Sequence, residues 1–299
     1  MFSAFTLHCR THQTFALRAG WLKKGLDAIN DDPQIFARDE ALVVLGVGKN
    51  MVTAIRHWLL VTGLARVTGR DFHATALGQS LLADDGFDPY LEDPATLWVL
   101  HWKLCGPGSD CFTWAWTFNF LREWEWSREK LVEDLLVAAA RNGKAPSPET
   151  VKRDADVFLS TYVESERTGQ NSEDGLDSPL RELGLIRPGF EYHLRFNVGP
   201  KPSLPPAVFA WALVSFCGWK APRAATISAR EIAHAEGSPG VVFKLDEDST
   251  LAYLDTLADL TDGALRFEDT PLVRQVVMDA KAPQFDSLLA SHYNASLTR

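Results

Sequence analysis

Two glycines, Gly46 and Gly48, constrain the fold of this chain most strongly, because they separate two segments with helical spacing of apolar residues. Glycine adopts positive φ at little steric cost, so residues 46–48 predict a tight turn. Apolar residues recur at helical intervals in 39–45 and again in 50–62. Gly63 follows at a position typical of a helix C-terminus. The pattern predicts two short helices joined by a glycine turn.

A β-hairpin is predicted directly after the second helix. Residues 64–67 and 72–74 are short apolar runs, and residues 68–71 between them have the composition of a turn. Helix, turn, helix and hairpin is the element order of a winged helix-turn-helix. Such a unit reads DNA through the N-terminal part of its second helix and through its hairpin. The residues predicted to contact DNA here are Lys49, Asn50, Thr53, Arg56, Arg66 and Arg70.

The turn has two other interpretations. The helix pair could instead serve only packing or dimerisation, and this alternative stays open. A nucleotide-binding phosphate loop is rejected, because that loop needs Gly-x-x-x-x-Gly-Lys-Ser/Thr and Asn50 stands where the hydroxyl would be.

The distribution of charge favours a local nucleic-acid face. The 299-residue chain has a net charge of −9, which argues against wholesale coating of a phosphate backbone. Residues 1–70 nevertheless contain nine basic and five acidic residues, whereas residues 71–99 contain six acidic and no basic ones. A basic head followed by an acidic segment points to a DNA-facing surface near the N-terminus.

The rest of the chain predicts further units of the same kind. A helix over 127–141, with Ser127 as its N-cap, and a helix over 146–163 form a second helix pair, which adds Lys152 and Arg153 to the predicted DNA contacts. Residues 246–260 predict one helix, and runs at 264–267 and after Pro271 predict a third wing. The fold class is therefore mainly α with short β-hairpins (α+β), in tandem winged helix-turn-helix-like units. The predicted regions are 1–104 (winged helix), 105–165 (aromatic-rich and helical) and 166–299 (α+β), with 164–180 as a polar linker.

Cysteine and apolar content predict a cytoplasmic protein. The four cysteines form no Cys-x-x-Cys pair, so a disulfide framework is not expected. No apolar run reaches the ~20 residues needed to span a bilayer, and residues 1–30 lack the pattern of a signal peptide. The predicted partners therefore include no membrane.

Three residue clusters contain side chains that can bind metals or stack on bases. His8, Cys9 and His12 could bind a metal, but no second cluster has zinc-ligand spacing, so a structural role is favoured. The acidic residues of 84–93 could bind Mg²⁺ or Mn²⁺, although a solvated loop is favoured. The Trp and Phe residues of 112–126 could stack on bases, although burial in the core is favoured.

Several sequence blocks resemble a bacterial family. The blocks are HQTF (12–15), GWLKKG (20–25), LGVGKNM (45–51), DPYLEDPATLW (88–98), KRD (152–154), LDSPL (176–180), FNVGPKPSLP (196–205), SPG (238–240) and FKLDE (243–247). They are similar to the SspB-like family, which is encoded with DNA phosphorothioation and phage-defence genes. The first block has Gln13 where the family pattern Phe-Ser-Gly-His-Glu-Thr-Phe has an acid, so the resemblance carries no acidic catalytic residue to this position.

The resemblance implies a DNA nicking endonuclease that serves phosphorothioate modification. Double-stranded DNA, a cysteine desulfurase, an ATPase and an ATP pyrophosphatase are the implied partners, and a homo-oligomer is left open. His12, Arg18 and Lys24 could form a polar, anion-facing site and are the candidate catalytic residues. A nuclease would use Mg²⁺ or Mn²⁺, whose ligands the sequence does not identify. The alternatives are a non-catalytic DNA-binding adaptor, which needs no cofactor, and a protein-interaction scaffold.

Overall fold

The computed structural model describes residues 12–141, 146–163, 178–279 and 285–296. These residues are mainly helical with small antiparallel sheets, which confirms the α+β class. His8, Cys9 and most of the predicted linker lie outside the described residues.

The N-terminal elements follow the predicted order. They are α1 (Ala19–Asp31), a 3-10 helix (Ile35–Ala37), α2 (Ala41–Leu45), α3 (Lys49–Val61), β1 (Ala65–Thr68), β2 (Asp71–Ala74) and α4 (Ala76–Leu82). Gly46 and Gly63 have φ values of 64° and 67°, as the helix ends require. Gly48 differs from expectation, because it is the extended N-cap of α3 with φ of −72°.

The middle of the chain combines buried helices with a three-stranded sheet. Its elements are α5 (Pro94–Cys105), α6 (Phe112–Phe120), β3 (Glu125–Trp126), α7 (Arg128–Arg141), α8 (Pro148–Tyr162), a 3-10 helix (Pro179–Leu183), β4 (Ile186–Pro188) and β5 (Leu194–Phe196). The Ser127 hydroxyl accepts a hydrogen bond from the Lys130 N–H at 3.1 Å, so the predicted start of α7 is confirmed.

The C-terminal elements repeat this arrangement. They are α9 (Pro206–Lys220), β6 (Thr226–Ser228), α10 (Ala229–His234), α11 (Pro239–Val242), α12 (Glu247–Asp255), α13 (Leu257–Leu260), β7 (Leu265–Asp269), β8 (Arg274–Met278) and α14 (Phe285–Ser296). The sequence predicted one helix over 246–260, whereas the structure divides it at Thr256 into α12 and α13.

The two three-stranded sheets have the same strand order. The orders are β3-β5-β4 and β6-β8-β7, so in each sheet the strand that precedes the helices pairs with the last strand of the hairpin. Near β2, the Phe72 N–H donates to the Pro33 carbonyl at 2.8 Å, which brings the turn before the first 3-10 helix to the equivalent edge. Because β3 pairs with β5, hydrogen bonds join residues on either side of position 165.

The core forms where helices are apolar on every face. α6 contains no charged residue, and α5 and α9 each contain one lysine. These helices therefore have no polar face to turn toward solvent. Trp98, Trp114 and Trp211 are fully buried among them. The aromatic segment 112–126 is therefore mostly core, as favoured, although Trp124 is 69% exposed. In the described residues, no helix has the length and apolar character needed to cross a membrane.

Candidate nucleic-acid interface and the buried His12–Asp154 pair

Helix α3 is amphipathic, and its buried face holds it against the N-terminal core. Ile55, Trp58 and Leu59 are fully buried. α1 approaches this face closely, since a Cβ at Gly25 would lie 2.6 Å from Ile55 Cγ2. This packing leaves the N-terminal turn of α3 facing solvent, where Lys49 and Asn50 are exposed.

Most of the residues predicted to contact DNA in this unit are exposed. Arg56 lies on α3 with its guanidinium 5.9 Å from the Phe72 ring centroid, and Arg66 and Arg70 lie on the β1–β2 hairpin. Thr53 is half-buried and donates its hydroxyl proton to the Lys49 carbonyl at 3.3 Å. Within the described residues, Lys49 and the three arginines form no ion pair, so their charges are available to an anionic partner.

Lys152 and Arg153 are exposed on α8. The Lys152 ammonium pairs with Glu149 at 3.0 Å, an exposed i,i+3 contact that contributes little to stability. Arg153 lines the same cavity as His12. The structure therefore brings a candidate catalytic residue beside a candidate DNA contact.

His12 and Asp154 form a buried pair that connects the N-terminal segment to α8. His12 Nε2 lies 2.5 Å from Asp154 Oδ1, and the Thr14 N–H donates to His12 Nδ1 at 3.2 Å. Because Nδ1 accepts this hydrogen bond, Nε2 carries the ring proton and donates a hydrogen bond to the carboxylate. The Thr113 hydroxyl donates to the other carboxylate oxygen, Oδ2. Asp154 thus holds the imidazole in one tautomer.

The imidazole also packs among aromatic rings. It stacks on Trp58 with an interplanar angle of 22° and meets the edge of Trp114. Gln13 and Thr14 follow it with φ values of 49° and 69°, a left-handed conformation that non-glycine residues rarely adopt and that is enriched at functional sites. A cavity of about 370 Å³ lies beside this turn, and its lining residues are His12, Gln13, Thr14, Thr150, Arg153 and Asp154.

Arg18 and Lys24 do not line this cavity. The Arg18 guanidinium is half-buried and lies 5.0 Å from the Trp21 ring centroid, while Lys24 is exposed on α1. Asp154 and Thr113 were missed as site residues from the sequence. A signal for Asp154 exists, because it falls on the apolar stripe of α8 next to Val151 and Ala155, where an unpaired acid would be costly.

Three of the acidic residues in 84–93, namely Asp84, Asp88 and Asp93, have structural partners. Asp88 is buried and accepts from the Glu92 N–H at 2.7 Å and the Thr96 hydroxyl at 2.5 Å, so it is no part of a solvated loop. Asp93 caps α5 and pairs with His292 at 3.0 Å, and Asp84 pairs with Lys23 at 2.7 Å. Across the described part of the chain, no three His, Cys, Asp or Glu residues converge as metal ligands.

The sequence of this chain matches a known family of proteins. The chain belongs to the family described as "Protein of unknown function (DUF4007)", whose model matches residues 9–293. No curated protein matches the chain.

Two solved structures are similar to the whole chain. One, described as a magnesium ion-bound SspB crystal structure, is 29% identical with a TM-score of 0.86, and the match covers 97% of this chain and 89% of that one. The other, described as an SspB crystal structure, is 28% identical with a TM-score of 0.87 and coverage of 100% and 91%. The resemblance to the SspB-like family is thereby confirmed.

Proposed function

We propose that this chain is a cytoplasmic protein that binds duplex DNA through α3 and the β1–β2 hairpin, in the service of phosphorothioate modification. The observation that carries the proposal is the group of exposed cations on these two elements, which form no ion pair within the described residues although the whole chain is acidic. Phosphate contacts of this kind position a protein on DNA, and Asn50 adds a side chain that can read a base edge.

The modification pathway is inferred from the relatives. Similarity to SspB over the whole chain supports a place in a phosphorothioation system. A cysteine desulfurase, an ATPase and an ATP pyrophosphatase are the proposed partner enzymes. The division into regions 1–104, 105–165 and 166–299, and the winged helix-turn-helix character of the units, remain part of this proposal.

Strand nicking is the second element of the proposal, and the His12–Asp154 pair supports it. A carboxylate that orients an imidazole prepares its second nitrogen to act as a base. His12 Nδ1 would release its contact with the Thr14 N–H and take a proton from water. The water oxygen would bond to phosphorus, one bridging P–O bond would break, and the departing oxygen would take a proton from solvent. Arg153 would bind the phosphate at the cavity.

A requirement for Mg²⁺ or Mn²⁺ rests on the magnesium-bound relative. The described residues offer no cluster of three ligands that fits such an ion, so no step is assigned to it. Arg18 and Lys24 remain proposed anion contacts on α1, outside the lining of the His12 cavity.

Binding is tested with a labelled duplex at several salt concentrations. The double variant Lys49→Ala/Arg56→Ala should bind more weakly, and the slope of log affinity against log salt should fall by about 2, because each phosphate contact contributes about 0.9. Lys220→Ala/Arg223→Ala removes the same charge from exposed positions outside this unit and should leave the slope unchanged. Equal binding by both double variants would contradict the proposed interface.

Nicking is tested by conversion of supercoiled plasmid to open circles with Mg²⁺ or Mn²⁺. EDTA should stop the conversion, and His12→Ala should slow it by roughly 10²–10⁴-fold without loss of duplex binding. Asp154→Asn should shift the pH profile of nicking, which a merely structural residue would not do. Duplex binding without nicking in either metal would remove the enzymatic element and leave a DNA-binding adaptor.

A further inference from the structure

Lys244 is a buried cation that the proposed DNA interface does not use. The residue is 8% exposed and has a left-handed backbone with φ of 55°. Its ammonium donates to the Phe118 carbonyl at the end of α6, at 2.6 Å, and lies 3.9 Å from the centroid of the Phe196 ring. A lysine ammonium has three donors, so a single carbonyl leaves it incompletely partnered.

No carboxylate neutralises this ammonium within the described residues. Burial, followed by the charges of Arg122 and Lys201, lowers the pKa of Lys244 to about 7, while Cys105 acts in the opposite direction. A buried charge without a counter-charge is costly, and nearby like charges add to that cost. The site is therefore short of negative charge.

Lys201 shows how a buried lysine is satisfied in the same region. Its ammonium donates to the carbonyls of Asn197, Gly199 and Lys244 at 2.7–3.0 Å, which uses all three donors. Lys201 therefore has a structural role, because its hydrogen bonds hold this loop closed. Lys244 has donors to spare, so packing alone does not account for it.

A cavity adjoins Lys244 and offers room for an anion. Its volume is about 210 Å³, and its lining includes Arg122, Trp124 and His234 beside Lys244. The lining also contains one carboxylate, Glu123, which lies 3.7 Å from the Lys130 ammonium. Trp124 is 69% exposed although its aromatic neighbours in the sequence are mostly core. An exposed indole at the same cavity as Lys244 and Arg122 matches the two parts of a nucleotide, since bases stack on aromatic rings and phosphates bind cations.

We propose that this cavity binds the phosphate monoester of a nucleotide, with Lys244 and Arg122 on the phosphate and Trp124 against the base. A free nucleoside monophosphate and a 5′-phosphorylated DNA end share this chemistry. The inference goes beyond the proposed function, because the cavity shares no lining residue with α3, the β1–β2 hairpin or the His12 site.

The test is calorimetric titration of the full chain with inorganic phosphate, dAMP, and an oligonucleotide with either a 5′-phosphate or a 5′-hydroxyl. Lys244→Met should weaken binding of all phosphate monoesters by roughly 30-fold or more, as expected for loss of a buried charge partner. Lys220→Met removes an exposed lysine outside the cavity and should have no effect. Lys244→Met is expected to fold, since methionine fills the space without a buried charge, and a thermal melt checks this.

A variant at Trp124 tests base stacking separately from phosphate binding. Trp124→Ala should weaken dAMP roughly fivefold or more and leave inorganic phosphate unchanged, because only the base stacks. Tyr192→Ala removes another exposed aromatic ring and serves as the control. Tighter binding of the 5′-phosphorylated oligonucleotide than of dAMP would identify a DNA end as the ligand, and the reverse a free nucleotide.

Two results would overturn the inference. One is a folded Lys244→Met chain that binds phosphate and dAMP as the wild type does, and the other is a wild type that binds neither. The Lys49→Ala/Arg56→Ala variant should retain nucleotide binding, so failure at this cavity and failure of the duplex interface are distinguishable.

Discussion

Gly78 allows the first turn of α4 to approach the backbone of Leu64 closely. The Thr75 hydroxyl accepts from the Gly78 N–H at 3.1 Å and donates to the Gly63 carbonyl at 2.7 Å, which joins the end of α3 to the start of α4. A Cβ at position 78 would lie 2.1 Å from the Leu64 carbonyl oxygen, far inside contact distance. The close approach is to backbone, so a side-chain rotation cannot relieve it.

Gly78→Ala should therefore lower the free energy of unfolding by about 1–3 kcal/mol, the usual range for overpacking. The matched control is Gly20→Ala in the first turn of α1, where a Cβ meets no atom within 4 Å. Alanine there should stabilise by up to about 1 kcal/mol, because glycine is the poorer helix former. Urea unfolding measures both, and equal stabilities of the two variants would contradict the packing argument.

At the scale of elements, α14 joins the end of the described chain to residues 87–96. Leu288, Leu289 and Tyr293 are buried on its inner face. Thr96 gives its one hydroxyl proton to Asp88, so the Tyr293 hydroxyl is the donor in its 2.7 Å bond to Thr96. The Tyr293 ring stacks on Phe87 with centroids 4.9 Å apart. A short relay, Tyr293 to Thr96 to Asp88, thus holds α14 against the start of α5.

Tyr293→Phe should remove only the hydrogen bond and lower the free energy of unfolding by about 1 kcal/mol. Tyr293→Ala should also lose the stacked ring and cost about 3–5 kcal/mol, as large truncations in a core do. Ala295→Ser on the exposed side of α14 is the control and should change little. Denaturant titrations measure the free energy of unfolding of each variant. If Tyr293→Phe were as unstable as Tyr293→Ala, the separate contributions assigned to the hydrogen bond and to the ring would be refuted.

At the scale of the whole molecule, His101 lies where α5, α8 and α11 meet. Its Nε2–H donates to the Val242 carbonyl at 2.9 Å, so Nδ1 accepts from the Tyr162 hydroxyl at 2.7 Å. Burial lowers the pKa of His101 to about 3, and the Lys244 charge adds to this shift. The imidazole is therefore neutral in the folded protein under conditions where an unfolded chain would protonate it.

The unfolded state binds a proton at His101 below about pH 6.5 that the folded state cannot, so acid should favour unfolding. The contribution of this residue should lower the free energy of unfolding progressively as the pH falls below about 6.5. His101→Gln should show a shallower dependence than wild type between pH 7 and pH 4.5. His193→Gln, which removes an exposed histidine, is the control, and identical slopes for wild type and His101→Gln would contradict the assignment.

The features predicted correctly from sequence are those that near neighbours determine. The positive φ at Gly46, the amphipathic stripe of α3 and the Ser127 cap depend on residues at most a few positions away. Because α6 contains no charged residue, its sequence likewise predicts that it is buried. The division at Thr256 and the extended φ of Gly48 were missed, because the same residues tolerate a continuous helix or a positive φ equally well.

The site depends on contacts that the sequence alone does not encode locally. His12 and Asp154 are 142 residues apart, and Lys244 meets Phe118 across 126 residues. Sequence determined the exposed cations of α3 and the hairpin, since amphipathic periodicity settles which face meets water. Only the tertiary structure decided that His12 has a carboxylate partner, that Lys244 has none among the described residues, and that Trp124 leaves the core. Those outcomes arise because packing brings distant side chains within bonding distance.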